Sequence, residues 1–233
     1  MKKAAALVTV LLLLVLSSSA FGVTHCLTFT GATLFGNMQC DLSATAGHRL
    51  VMFGLTSSMT PVPIFSSTPA VPWVQRVSQV LLWAGSQTRY VVVGDTVATA
   101  TGTVTCKFDT NGGSSLNWWA VICLDIGVWS GVDVVSGANG SSGHATVSMT
   151  TKGAGDFLLA FNYQGGGNTS FDTGYTMEVT DNVWSGAGVA YKTSGAAGLQ
   201  SVTVNPTSTW WGIVFLAYCN APCGVLPMHS GIF

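Results

Sequence analysis

The groups able to do acid–base or nucleophilic chemistry are few. Glu178 is the only glutamate, and the aspartates are Asp41, Asp95, Asp109, Asp125, Asp133, Asp156, Asp172 and Asp181. A glycoside hydrolase sets two carboxyl groups about 5–10 Å apart across a cleft. Asp125 and Asp133 flank one glycine-rich stretch and come nearest to that pattern. Their neighbours are turn formers, however, so both are expected as turn residues. No Gly-x-Ser-x-Gly elbow exposes a serine nucleophile. His48 and His144 stand near equivalent strand starts and read as capping or solvated side chains, while His25 and His229 are isolated. No Cys-x-x-Cys pair offers zinc spacing. The oxygen-rich stretches "DTNGG" (109–113) and "DVVSGANG" (133–140) lack the alternating acidic ligands of a strong calcium loop. No catalytic residue, metal or cofactor is therefore expected.

Binding is the better-supported class, because the chain carries eight tryptophans. Two matching runs stand out, "WWAVICLDIG" (118–127) and "WWGIVFLAYC" (210–219). Neighbours on a strand point to opposite faces. One ring of Trp118/Trp119 and one of Trp210/Trp211 is thus expected to face outward, as a platform for sugar rings or a contact for another protein. The competing reading, that loops or the neighbouring terminal segment cover those rings, makes the tryptophans mainly architectural. Arg76 and Glu178 fall at matched positions of two similar segments and are expected to be separately solvated. As an exposed ion pair they would contribute only about 0–1 kcal/mol.

The elements that hold these residues read as β-structure. The chain has 233 residues, 48% hydrophobic and 7% charged, with a formal net charge of -1. An average soluble protein is about 25% charged, and this near-neutral surface offers no basic field for nucleic acid or anionic lipid. The N-terminus has the anatomy of a signal peptide over residues 1–22. It runs from the positive "MKK" through the apolar "AAALVTVLLLLVL" to the small-residue "SSSA". The apolar run is shorter than the roughly 20 residues a membrane span needs, so no stable span is expected after its removal. Short runs rich in Val, Thr, Phe, Tyr and Trp, bounded by Gly, Asn, Asp, Ser and Pro, follow to the end.

Those runs repeat in order. "GHRLVMFGL" (47–55) matches "GDFLLAFNY" (155–163), and "PWVQRV" (72–77) matches "GYTMEV" (174–179). "RYVV" (89–92) matches "AYKT" (190–193), "VTC" (104–106) matches "VTV" (202–204), and the WW runs close the series. The spacing between partners shrinks steadily, as shorter loops in a second copy would make it. The expected fold is all-β, a single two-sheet, jelly-roll-like sandwich over residues 23–233. It is built from two tandem copies of a five- to six-strand unit, about 38–126 and 144–218, with 127–143 as the joint.

Six cysteines in an exported chain imply disulfides, with 15 possible connectivities. In the alignment of the copies Cys106 faces Val204 and Cys123 faces Phe215, so both cysteines vanish together. That favours Cys106–Cys123 as a bonded pair, placed as hairpin partners about "NGGSSL", and leaves Cys26–Cys40 and Cys219–Cys223. Closing a loop of about 15 residues contributes about 3 kcal/mol in the chain-entropy model.

The order "GDFLLAF", "GYTMEV", "VAYK", "VTV", "WWGIVFLAY", with "IGVWSGVDVVSGANGSS" between the halves, resembles a group of duplicated β-sandwich domains. They occur in bacterial exported and surface proteins and in phage virion proteins. The resemblance covers about residues 40–218 and implies attachment, surface structure or binding rather than chemistry. The leading expectation is a secreted or cell-surface, non-catalytic sandwich acting in surface, matrix or appendage contacts, with a surface protein, a glycan or itself as partner. A carbohydrate-binding module and a polysaccharide hydrolase are the alternatives. The segment 23–37 and the tail "VLPMHSGIF" are the stretches suited to adding to a neighbour's sheet edge. "NGS" at 139 and "NTS" at 168 are sequons, read as loop markers.

Overall fold

The computed structural model describes residues 22–30, 37–56, 63–83, 87–110, 119–141, 145–164, 170–181, 187–205, 211–220 and 222–223. Fifteen strands and no helix are present among them. The first half carries β1 (Thr24–Thr30), β2 (Asn37–Ala44), β3 (Arg49–Thr56), β4 (Ile64–Thr68), β5 (Val74–Trp83), β6 (Gln87–Val97), β7 (Gly102–Asp109) and β8 (Trp119–Asp125). The second carries β9 (Val132–Gly140), β10 (Ala145–Thr151), β11 (Phe157–Gln164), β12 (Thr176–Asp181), β13 (Ala187–Thr193), β14 (Gly198–Val204) and β15 (Trp211–Tyr218). All pairing is antiparallel.

The chain is an all-β sandwich, and its described residues form four sheets where two were expected. The first half forms a five-stranded sheet, β1-β8-β3-β6-β5, and a three-stranded sheet, β2-β7-β4. The second half repeats the order as β9-β15-β11-β13-β12 and β10-β14, with Phe171 bridged to Val204 where a third strand would lie. Each half thus closes its own jelly roll. The units also start earlier than expected. The stretch 127–143 is no plain joint, since it holds β9, and β1 of the segment 23–37 pairs along β8 of its own sheet.

Three cores explain the layering. One lies between the two sheets of the first half, with Leu50, Met52, Val104 and Phe108 among its members. Another lies between those of the second, with Val147, Leu158, Val202 and Phe215. The largest joins the two five-stranded sheets face to face through Val51, Phe53, Ile122, Leu159, Phe161 and Leu216. The central strands are therefore buried on both faces, and β3, β11 and β15 are buried at every position. Strands of this kind read as continuous apolar runs. The outer strand β10 is half-buried and strictly alternates.

The halves meet as the two subunits of a symmetric dimer do. Edge β1 lies by edge β12, where His25 meets Glu178, and edge β5 lies against β9 and β15. At the centre, the equivalent residues Phe53 and Phe161 stack at 4.9 Å and 14°. Phe53 and Phe161, which the repeated segments align with each other, thus face one another where the halves meet, as residues do in an isologous contact. The local backbone agrees. Gly47 and Gly155 enter β3 and β11 with φ of 82° and 73°, and Gly102 and Gly198 open β7 and β14 with φ of 144° and 124°. Such angles are strained for side chains larger than glycine.

This register corrects two details of the repeat. Val97 lies opposite Arg49 and Thr193 opposite Phe157, so "RYVV" and "AYKT" are not true counterparts. The paired glycines that open β7 and β14 make Val202, not Val204, the counterpart of Cys106.

The disulfides are Cys26–Cys40, Cys106–Cys123 and Cys219–Cys223. Cys106 and Cys123 are not hairpin partners, because β7 and β8 lie in different sheets. Cys26 stands opposite Cys123 in one sheet and Cys40 opposite Cys106 in the other. Two adjacent bridges therefore staple the first unit's sheets together. At the corresponding sites of the second unit, Val147, Val202 and Phe215 fill the space. Replacing Cys106 and Cys123 together by alanine is expected to lower stability by about 3 kcal/mol. Urea unfolding of the intact and substituted chains measures it, and an unchanged midpoint would mean that packing alone holds the two sheets.

Candidate functional site

The turns that precede β3, β7, β9, β11 and β14, together with the exit of β15, gather at one end of the sandwich, and the buried charges gather there with them. Asp95 on β6 is 1% exposed. It receives Arg76 Nη2 at 2.8 Å and Nε at 2.9 Å, with Arg49 Nη1 at 3.4 Å. Arg49, also buried, donates to the carbonyls of Trp129 (3.2 Å) and Ser130 (3.1 Å) and lies 5.8 Å above the Tyr218 ring. It thereby ties the connection between the units to the interface core. Burial raises the Tyr218 hydroxyl well above its ordinary value, and the negative charge of Asp95 adds to this.

A second group joins turns. Asp125 accepts from the main-chain N–H of Thr45 and of Gly127, each at 3.0 Å, and His48 Nδ1 lies 2.8 Å from it. Here a carboxylate that also meets a histidine holds the backbone of two turns.

The third group lies at the β10–β11 turn. β9 carries a bulge opposite Ala217/Tyr218, and Asp133 is the extra residue. A bulge re-aims a side chain. Asp133 turns toward the β10–β11 turn, where its Oδ2 accepts from Lys152 N at 2.7 Å and its Oδ1 lies 3.4 Å from Lys152 Nζ. Asp156, 1% exposed, stands beside it and accepts from Asn220 N at 3.4 Å. Burial raises the Asp156 carboxyl above the usual carboxylate range. The Asn220 N–H opposes that shift and the charge of Asp133 reinforces it. These residues and the Cys219–Cys223 bridge line a cavity of about 280 Å³.

The residues singled out in the sequence fall differently. Asp125 and Asp133 belong to separate clusters. Trp211 is buried, and its indole N–H meets no acceptor. It covers Gly140, where a Cβ would come within 2.7 Å of the ring. The outward ring expected from alternation is thus absent at Trp211, because both faces of β15 are covered by other sheets. Trp118, Trp210 and the side chain of Trp119 lie outside the described residues, as do His144, His229, Asn168 and the tail 224–233. Two other tryptophans are also structural. Trp73 packs on Phe65 and donates to Ser67 Oγ, and Trp129 is buried 5.2 Å from Phe157. Arg76 and Glu178 occupy equivalent bulges on the open edges β5 and β12 but do not meet. Each has its own partner, Asp95 for Arg76 and His25 for Glu178 at 2.7 Å. A charged bulge on an edge strand blocks pairing with another sheet. The stretch 133–140 is a strand rather than a calcium loop, Asn139 lies within it, and 111–113 are outside the described residues.

The sequence pattern missed Asp156, although "GHRL" and "GDFL" align it with His48. Compared with known proteins, the chain matches no family model, no curated protein and no solved structure. No helix among the described residues is long and apolar enough to cross a membrane. Three disulfides and no free cysteine among those residues fit an oxidising environment outside the cytosol.

Proposed function

We propose that the protein is a secreted or cell-surface β-sandwich that works by contact, as a structural or adhesive part of an envelope, matrix or appendage, without catalysis of its own. One observation carries this reading. The aromatic and charged side chains of the described end are engaged in holding strands, turns and the two units together, leaving a rigid double sandwich stapled by disulfides. The signal-peptide anatomy and the resemblance to duplicated surface and virion domains point the same way. The charged bulges at Arg76 and Glu178 disfavour strand addition at β5 and β12, so contact by loops or by sheet faces fits better than edge-to-edge assembly.

Immunolabelling of intact producing cells, with fractionation, tests the reading. Label on the cell exterior or in the medium, with purified protein binding back to those cells, is the expected result. Protein confined to the cytosol, or release of reducing sugar from polysaccharide by the purified chain, would overturn it.

A further inference from the structure

We propose that the cavity at the start of β5 and the end of β6 binds a carboxylate carried on an aliphatic body, with Arg76 taking the charge and Val74 and Val97 the hydrocarbon. The cavity measures about 380 Å³, within the roughly 300–1,000 Å³ of small-ligand sites. Arg49, Arg76 and Asp95 line it, and no other charged side chain does so among the described residues. Two guanidinium groups thus share one carboxylate, which leaves one positive charge in the cavity wall without a counter-ion.

The hydrogen bonds decide where a second carboxylate fits. A guanidinium carries five N–H donors in a planar fork. Arg49 is buried and directs its fork at the carbonyls of Trp129 and Ser130 and at Asp95. Arg76 meets Asp95 through Nε and Nη2, both aimed at the same oxygen, Oδ1. The end of its fork, which carries Nη1, is not committed to Asp95, and the side chain is 31% exposed. Asp95 and the β5 bulge hold the Arg76 side chain in place before a ligand arrives. A carboxylate set across Nη1 and Nη2 therefore gains a charge-assisted, two-pronged contact at little ordering cost.

The rest of the wall selects an alkyl body. Val74 stands opposite Asp95 and Val97 opposite Arg49 in the sheet, so the two valines flank the ion cluster. They are 47% and 41% exposed, although both are apolar. Pro72 completes the wall, held by Thr96 Oγ1, which donates to its carbonyl at 2.8 Å. No aromatic ring lines the cavity among the described residues, so it gives a sugar no face to stack on. The second unit carries Glu178 at the bulge equivalent to that of Arg76, a charge that repels an anion, so one site per chain is expected.

Methyl-detected NMR titration of the full chain with 4-methylpentanoate tests this, with the matching amide as the uncharged control. The acid is expected to shift the Val74 and Val97 methyl signals saturably, and the amide to bind about tenfold more weakly or less. N-acetyl-leucine, which presents the carboxyl end of a peptide, separates the two sources of this chemistry. Tighter binding than that of 4-methylpentanoate assigns the site to a protein C-terminus, and weaker binding assigns it to a free acid. Arg76→Gln keeps a donor for Asp95 but removes the charge, and is expected to weaken the acid by about tenfold. Val74→Asp, on the exposed rim, is expected to abolish binding in a chain that retains its thermal midpoint. Absence of saturable shifts with the acid would overturn the proposal. So would equal affinity for acid and amide, displacement of the acid by an equal concentration of inorganic phosphate, or unchanged affinity in Val74→Asp.

Discussion

Phe53→Ala is expected to destabilise the protein by about 3–5 kcal/mol, and Phe161→Ala by a similar amount. Each ring is all but fully buried in the core between the five-stranded sheets, and the two stack on each other at 4.9 Å. Truncation removes the transfer energy of a benzyl group and leaves a cavity at the centre of a contact where two stiff sheets have little room to collapse. A double-mutant cycle isolates the stacking itself, with a coupling of about 0.5–1.5 kcal/mol expected. Guanidinium unfolding of the two single variants and the double variant measures all three quantities. Costs below about 1 kcal/mol would mean that the units are held by their polar end and their connection, with the apolar faces incidental.

Asp95→Ala carries an expected cost of about 3–5 kcal/mol. The carboxylate sits between Arg49 and Arg76, and Arg49 is itself buried. Without Asp95 the Arg49 guanidinium keeps its bonds to the Trp129 and Ser130 carbonyls but loses its counter-charge inside the core. Removing one partner of a buried pair costs more than removing both. Asp95→Ala combined with Arg49→Met should therefore recover part of the loss. Equal and additive costs for the two substitutions, read from denaturant midpoints, would show that the charges do not communicate.

Much of the fold was legible in the residues. The order of the repeated segments indicated two like units, and the joint disappearance of two cysteines from the second segment set marked a bonded pair. The number of layers was also legible, but in a signal easy to misread. "RLVMFGLT" and "WGIVFLAY" are apolar at consecutive positions, which a strand permits only when both faces are covered, whereas "ATVSMTT" alternates. Applying alternation to Trp210/Trp211 assumed a solvent face. The second face of β15, with Gly212, Val214, Leu216 and Tyr218, held no polar residue to justify one.

The placing of Asp133 was less accessible to sequence. It comes to line one cavity with Asp156 through a bulge, and a bulge is defined by the partner strand as much as by its own residues. The destinations of Arg76 and Glu178 were hidden for a related reason. Their equivalence within the units was readable, but their partners depend on how the two units face one another.

That facing arrangement has a consequence for what each half is free to become. In a dimer of identical chains every interface residue appears twice, so a buried charge on one side must be matched by the same charge on the other. Here both sides belong to one polypeptide, and that constraint is lifted. Arg49 and Asp95 stand where the second unit has Phe157 and Tyr191, which stack at 5.3 Å. One flank of the junction is held by ions and the other by aromatic rings, a division of labour that a self-pairing surface cannot make. Tethering also removes the dilution penalty of association, so the junction forms at any protein concentration.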